Sequence, residues 1–137
     1  MSILSICDET HAAVNLTATA ADAIEEMLTN RTGAAAVLDD NRVVAGIFTE
    51  RDVLTKLALD SRKAGEIPIR EVMTTPVVLA TSDISPAEAL NVMVEAHHRH
   101  LPIVDENGRL LRMLSVRHVL QAKIDELSGQ LHKVQLA

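Results

Sequence analysis

The sequence contains almost no aromatic residues: its 137 residues include one Phe and neither Tyr nor Trp. Proteins that bind single-stranded nucleic acid commonly stack bases on aromatic rings, so this scarcity argues against that class. The formal net charge of -6 argues against nucleic acid as well, because a phosphate backbone requires a basic surface. Since 47% of the residues are apolar, the chain can still form a core, which must be aliphatic.

Cysteine is equally scarce. Cys7 is the only one, which excludes an intrachain disulfide and a zinc site built from several thiolates. The start of the chain, MSILSICDE, has no basic region and too short an apolar run for a signal peptide. No stretch is long and apolar enough to span a membrane, so we expect a cytoplasmic protein that does not bind membranes.

Signatures of catalysis are absent from the sequence too. It has no Gly-rich phosphate loop and no nucleophile elbow, and Cys7 has no recognisable His–acid pair. His97, His98 and His100 lie close together in HHRH, but the run crosses from a predicted helix end into a strand, so the side chains should diverge. We therefore expect no enzymatic activity, no metal site and no required cofactor. A metal-dependent enzyme using these histidines is the least favoured hypothesis.

The chain repeats itself after 66 residues without a gap. The identical pairs include Ala21 with Ala87, Met27 with Met93, Asp39 with Asp105 and Arg51 with Arg117. Two copies of about 60 residues predict a pseudo-symmetric pair that shares one core. We assign residues 1–60 to the first repeat, 61–68 to a polar linker, 69–127 to the second repeat and 128–137 to a helical extension.

Each copy has the pattern strand, helix, strand, strand, helix, which predicts an α/β (α+β) fold. In the second copy, 76–80 should form a strand, and the next helix should bury Leu90, Met93 and Val94. Helix caps are predicted at Thr19 with Asp22 and at Ser85 with Pro86 and Glu88. Hairpin turns are predicted at 39–41 and 106–108.

The last helix should continue towards the C-terminus, although Gly129 weakens it. Its apolar residues are spaced by four, three, four and three positions, which is a heptad pattern: Leu120, Ile124, Leu127, Leu131 and Val134. This apolar row could pack on its own domain or pair two subunits. We favour pairing slightly.

The stretch GIFTERD, residues 46–52, has two compatible interpretations. Thr49 and Asp52 form a capping box, a common helix start in which the acid lies near the positive end of the helix dipole. A capped N-terminus also presents free amides that suit a phosphate or a hydroxyl-rich ligand. The motif alone favours the simple cap.

The repeat changes that weighting. A doubled β-α-β-β-α unit with GIFTERDVL at the last strand-to-helix junction, and RHLPIVDENGRLL at 99–111, resembles a tandem pair of CBS domains, also called a Bateman module. The resemblance covers about Cys7 to Leu127. It implies two repeats packed through their sheets and an adenine nucleotide (AMP, ADP or ATP) bound in the cleft between them. It also implies a homodimer formed through the repeat helices, which the C-terminal helix could extend.

Carried over residue by residue, the resemblance assigns the ribose hydroxyls to Asp52 and ribose or phosphate to Thr49. Arg99 or His100 would meet phosphates. The full set of candidate binding residues is Thr49, Arg51, Asp52, Thr74, Thr75, Val78, His98, Arg99, His100, Ser115 and His118.

The second motif, RMLSVRH at 112–118, departs from the family pattern. His118 replaces the acid, and Arg112 replaces the glycine. The basic set Arg112, Arg117 and His118 could hold an anion, but we favour an empty second pocket. The leading hypothesis is a non-catalytic sensor of energy state acting on an unidentified protein. The alternative is a ligand-free structural module that assembles partners.

Overall fold

The computed structural model describes residues 2–136, with side chains described as far as Gly129. It contains two three-stranded sheets of identical topology. In each sheet the first strand pairs in parallel with the second, which pairs antiparallel with the third. The first sheet comprises β1 (Ala12–Asn15), β2 (Ala34–Leu38) and β3 (Val44–Thr49), and the second β4 (Ala80–Thr81), β5 (His100–Val104) and β6 (Leu110–Ser115). The predicted α/β fold of two pseudo-symmetric repeats is confirmed.

The helices are α1 (Ile3–Ile6), α2 (Ala20–Thr29), α3 (Glu50–Asp52), α4 (Ile69–Val72), α5 (Pro86–Ala96) and α6 (Val116–Leu136). The prediction lacked α1 and α4, the short helices that precede the first strand of each repeat. A π-helical turn, Val53–Leu57, continues α3, and a short 3₁₀ turn, Ala64–Glu66, lies in the linker. The helix α6 continues through Gly129, as predicted. Within the part of the chain described here, no helix combines the length and apolar character needed to cross a bilayer.

Local sequence signals account for the element boundaries. At α2, the Thr19 side chain accepts from the Asp22 amide while the Asp22 carboxylate accepts from the Thr19 amide. Ser85 and Glu88 do the same at α5. Each reciprocal pair satisfies amides that the first helical turn leaves without intrahelical partners. Both predicted helix caps are confirmed.

The two hairpins use the same turn. The Asp39 side chain accepts amide hydrogen bonds from Asn41 and Val43, and Asp105 makes the corresponding bonds in the second repeat. The turn needs a left-handed residue, which is Gly108 (φ 82°) in the second repeat. The equivalent residue in the first repeat is Arg42 (φ 67°), which adopts the same region despite its side chain.

Two predictions from the second repeat are wrong. The strand predicted at 76–80 is reduced to Ala80–Thr81, and Pro76 has no amide hydrogen to contribute to a ladder. Val94 is 61% exposed rather than buried. The buried face of α5 is centred on Ala89 and Met93, and at roughly 100° per residue Val94 lies about a third of a turn away from it.

The two sheets face each other across an aliphatic core. Ala34 and Ala36 of β2 are fully buried there, packed with Ile47 of β3 and with Leu110 and Met113 of β6. Small side chains on β2 allow the sheets to approach closely. Burial of this apolar surface, at about 25 cal/mol per Å², is the main force that joins the repeats.

Backbone hydrogen bonds also cross between the repeats. Ile47 and Thr74 exchange both amide bonds, at 3.0 and 2.7 Å, so the segment leading to β4 is attached to the edge strand β3. At the far end of the sheets, Val44 donates to Gly108 and Leu110 donates to Arg42. The relative position of the repeats is therefore fixed at both ends of β3.

The apolar row of α6 faces solvent in this single chain. Leu120, Ile124 and Leu127 are 49%, 54% and 46% exposed. Packing on their own domain, one of the two alternatives, therefore does not bury them. The side chains of Leu131 and Val134 lie outside the described residues.

A close contact at Gly46 generates a first prediction. A Cβ at this buried position would lie 2.5 Å from Met73 Sδ and 3.3 Å from the Thr74 carbonyl oxygen. Gly46→Ala should therefore reduce the free energy of unfolding by about 1–3 kcal/mol through overpacking. Chemical denaturation measures this, with Gly65→Ala as the matched control because a Cβ there meets no atom within 4 Å. Equal stability of the two variants would contradict the prediction.

Candidate functional site

Asp52 is a buried carboxylate, with only 4% of the residue exposed. Its Oδ2 accepts from the Thr49 amide at 2.9 Å and lies 3.3 Å from the Thr49 hydroxyl. Its Oδ1 accepts from the Thr74 hydroxyl at 2.9 Å and forms an ion pair with Lys56 Nζ at 3.0 Å. A carboxylate has about four acceptor positions, so the chain itself occupies all of them in this structure.

Local sequence explains how these groups meet. Thr49 ends β3 and caps α3, which brings the Asp52 carboxylate back over the Thr49 amide. The following turn is π-helical, with the Ala58 amide donating to the Val53 carbonyl at 3.0 Å. Such widened turns often occur at functional sites. Lys56 lies within it, and its ammonium also donates to the Val72 carbonyl at 2.9 Å.

A cavity of about 490 Å³ opens beside Asp52, between the two repeats. We call it the first cleft. It brings together eight of the eleven predicted residues: Thr49, Arg51, Asp52, Thr74, Val78, His98, Arg99 and His100. Arg51 also crosses it, since its guanidinium donates to the His97 carbonyl at 3.3 Å. These eight residues therefore share one cavity, and their role in ligand binding stays a prediction.

Three of the predicted residues lie elsewhere. The Thr75 hydroxyl donates to the Ala45 carbonyl at 3.2 Å, and Thr75 is not among the residues that line the first cleft. Ser115 and His118 belong to a second cavity.

Sequence reasoning missed several residues at the first cleft. Gly33, Glu50, Leu54 and Thr55 line it, and Lys56 holds its central carboxylate. Lys56 follows Asp52 by four residues, the spacing of helical ion pairs, and this signal could have identified it. Gly33 carries no such signal, because only the tertiary fold brings the end of α2 to the cavity.

The second cavity, of about 390 Å³, is the pseudo-symmetric counterpart, and we call it the second cleft. Asp8, Arg31, Arg117, Ser115 and His118 line it. Gly33, Arg99 and His100 line both clefts, so the two cavities have a common wall. Arg112, which the sequence grouped with Arg117 and His118, does not line this cleft; its guanidinium donates to the neighbouring Leu111 carbonyl.

His118 reproduces the capping geometry of Asp52 with a different side chain. Its Nδ1 accepts from the Ser115 amide at 3.0 Å, while the His118 amide donates to the Ser115 hydroxyl at 3.2 Å. Because Nδ1 is an acceptor, the ring hydrogen is assigned to Nε2. That nitrogen lies 3.2 Å from Asp8 Oδ2, without the alignment of a hydrogen bond.

A comparison of residues that lie 66 positions apart shows how the two clefts differ. Asp8 corresponds to Thr74, so the acid that the first turn of α6 lacks is present on the segment that faces it. Cys7 corresponds to Met73, and Arg112 to Gly46. The first repeat thus combines the large Met73 with Gly46, whereas the second combines the small Cys7 with the large Arg112.

Cys7 is a partly buried free thiol. Burial raises its pKa to about 11, although the charge of Arg112 acts in the opposite direction. The thiolate, which is the nucleophilic form, is therefore scarce at neutral pH.

The histidine run crosses from a helix end into a strand as predicted, although His97, His98 and His100 all line the first cleft. His97 ends α5 in the left-handed conformation, with φ 57°, whereas His100 begins β5. Among the described residues, no three His, Cys, Asp or Glu side chains come together as metal ligands would. Burial, reinforced by the charges of His118, Arg99 and Arg117, lowers the pKa of His100 to about 4.

A family model of the CBS domain matches residues 6–59 and 69–125, which together make up most of the chain. The chain belongs to the CBS domain family. The two matched segments coincide with the two structural repeats, so it contains a CBS domain pair. Such pairs act as regulatory modules in many proteins and are typically non-catalytic.

Relatives of this CBS pair occur in archaea and plants. A 17.7 kDa protein of Acidianus ambivalens is 36% identical over 115 residues, which are 84% of this chain and 68% of that protein. A Methanopyrus kandleri protein is 31% identical over 78% of this chain and 55% of its own length. A CBS domain-containing protein of Arabidopsis thaliana is 34% identical over 82% of this chain, but only 20% of its own length. The chain thus spans between a fifth and about half of the last two proteins.

Solved structures agree with the fold. A protein with CBS domains from Burkholderia ambifaria superimposes with a TM-score of 0.81 at 30% identity, covering 91% of this chain and 95% of that one. A CBS domain protein from Thermoplasma acidophilum gives a TM-score of 0.79 at 26% identity, covering 88% of this chain and 68% of that one.

The low pKa of His100 generates a second prediction. Below pH 6.5 the unfolded chain binds a proton at this histidine, whereas the folded chain does not until about pH 4. Stability should therefore be lost as the pH falls from 6.5 towards 4. Denaturant unfolding across this range should show that His100→Gln loses about 2 kcal/mol less than the parent chain. Parallel curves for the two proteins would refute this assignment.

Proposed function

We propose that this CBS pair is a non-catalytic regulatory module that binds an adenine nucleotide in the first cleft and conveys energy state to a partner protein. The observation that supports it most is the position of the buried Asp52 and Thr49 in one cavity with Arg99 and His100 of the other repeat. A carboxylate can accept hydrogen bonds from both hydroxyls of a ribose, and the Arg99 guanidinium suits the phosphates. The aliphatic Ile47, Val77 and Val78 in the wall suit a flat apolar base.

Binding would require an exchange at Asp52. All four acceptor positions of its carboxylate are occupied by the chain, so ribose hydroxyls must replace the Thr74 hydroxyl and the Lys56 ammonium at Oδ1. Lys56 can move because its side chain is 37% exposed. Its release would free the Val72 carbonyl, and this links occupancy of the cleft to the start of the second repeat.

The test is a calorimetric titration with AMP, ADP and ATP on the parent chain and on Asp52→Asn. Hydrogen bonds to a charged group contribute about 1.5–3 kcal/mol, so the variant should bind roughly 10- to 100-fold more weakly. Asp22→Asn is the matched control, because Asp22 occupies the same capping-box position at α2, away from the cleft. It should bind like the parent chain.

Two results would count against nucleotide binding at this cleft. One is the absence of binding for every adenine ligand by a folded parent chain. The other is equal weakening by Asp52→Asn and Asp22→Asn, which would indicate a loss of stability instead of a lost contact.

The second candidate is a ligand-free structural module that assembles partners. The complete satisfaction of Asp52 by its own chain favours it, because no acceptor position then needs a ligand. Absence of adenine binding in the calorimetric titration would leave this function in its place.

We propose in either case that the chain forms a homodimer. Apolar side chains on the helices of both repeats are exposed, including Leu28 and Val94, and the row Leu120, Ile124 and Leu127 extends along α6. Apolar surface of this kind is buried when a second copy covers it.

Light scattering at micromolar concentration tests this proposal. The parent chain should have the mass of two copies, and Ile124→Glu should lower the measured mass if α6 contributes to the interface. Gln121→Glu, at an exposed position outside the apolar row, should leave the mass unchanged. A monomeric parent chain would contradict the dimer.

A further inference from the structure

The two clefts differ in charge although they share a fold. In the first cleft, Glu50 and Asp52 offset all but one of three cationic side chains, those of Arg51, Arg99 and the Lys56 that pairs with Asp52. In the second, Arg31, Arg99 and Arg117 face one carboxylate, that of Asp8, among the described residues. The second cleft therefore has an excess of positive charge in a chain whose net charge is negative.

A buried hydrogen-bond donor also favours an anion in the second cleft. The His118 side chain is 11% exposed, and among the described side chains none offers its Nε2 an aligned hydrogen-bond acceptor. Because Nδ1 is already bonded to the Ser115 amide, Nε2 is the ring nitrogen that carries the hydrogen, and it faces the Asp8 carboxylate. A buried donor without an acceptor is costly, and a bound acceptor would remove that cost.

The chain provides its own partial substitute for such an acceptor. Asp8 Oδ2 lies 3.2 Å from His118 Nε2 and 3.5 Å from Arg117 Nη2. Both contacts are loose, and the Asp8 side chain is 61% exposed. An anion that carries more charge and more acceptor oxygens would satisfy the same two donors better than this single carboxylate.

We propose that the second cleft binds a compact oxyanion of the phosphate class, which displaces the Asp8 carboxylate from Arg117 and His118. The first turn of α6 contains no acid to receive the hydroxyls of a ribose, and the cavity is smaller than the first cleft. The N-terminus of this 21-residue helix favours negative charge at the same position. Asp8 acts as a built-in competitor for the site.

Because Asp8 competes with the anion, removal of its charge should increase the affinity for phosphate. Inorganic phosphate is titrated calorimetrically at constant ionic strength into the parent chain, Asp8→Asn and Arg117→Gln. Asp8→Asn should bind phosphate roughly three- to fivefold more tightly, and Arg117→Gln roughly tenfold more weakly. Arg109→Gln, an exposed arginine of the hairpin, is the charge-matched control and should stay within about twofold of the parent chain.

Arg51→Gln separates this site from the first cleft, because Arg51 lines the first cleft and not the second. It should leave phosphate affinity unchanged, so the phosphate site can stand or fail independently of nucleotide binding. In amide NMR spectra, phosphate should shift the Ser115 and His118 signals more than that of Thr49.

Three outcomes would overturn the proposal. They are no phosphate binding by either the parent chain or Asp8→Asn at concentrations of tens of millimolar, weaker binding by Asp8→Asn, and loss of binding in Arg51→Gln. The second would make Asp8 a ligand contact, and the third would assign phosphate to the first cleft.

Discussion

The buried carboxylate of Asp52 is the constraint on which the arrangement of the first cleft depends. An ionised group with 4% exposure is tolerated only when its acceptor positions are filled. The partners come from the end of β3, from the π-helical turn and from the segment that leads into the second repeat. That last segment is also attached to β3 by the two backbone bonds between Ile47 and Thr74. Satisfying one charge thus joins the two repeats at the cavity they enclose.

The second repeat keeps this framework and changes its chemistry in pairs. Where the first repeat has an acid on the helix and a hydroxyl opposite, the second has an imidazole on the helix and the acid of Asp8 opposite. Where the first has a glycine beneath Met73, the second has Arg112 near the smaller Cys7. Each residue change is accompanied by a second change at the position that faces it, and the backbone geometry of the strand-to-helix junction is retained. Pseudo-symmetry of the fold therefore does not extend to the charge of the clefts.

Features that depend on residues close together in the sequence were predicted better than features that depend on tertiary contacts. Helix caps and hairpin turns depend on residues two to four positions apart, and the signals at Thr19, at Ser85 and at 106–108 predicted them correctly. The 66-residue repeat predicted the doubled fold. The family resemblance selected the candidate residues, and most of them lie in one cavity. Errors occurred where tertiary packing decides: the extent of β4, the exposure of Val94, and the separation of Thr75 and Arg112 from the clefts. The ion pair of Lys56 was missed because the Thr-x-x-Asp motif was read without the turn that follows it.

The wall that the two clefts share has a consequence for signalling. Arg99 and His100 line both cavities, and a guanidinium that turns towards an anion on one side removes positive charge from the other. Two ligands on opposite sides would then oppose each other without touching, and by thermodynamic reciprocity each would weaken the other equally. Under the two binding proposals, such a chain would respond to the ratio of its two ligands more than to the amount of either.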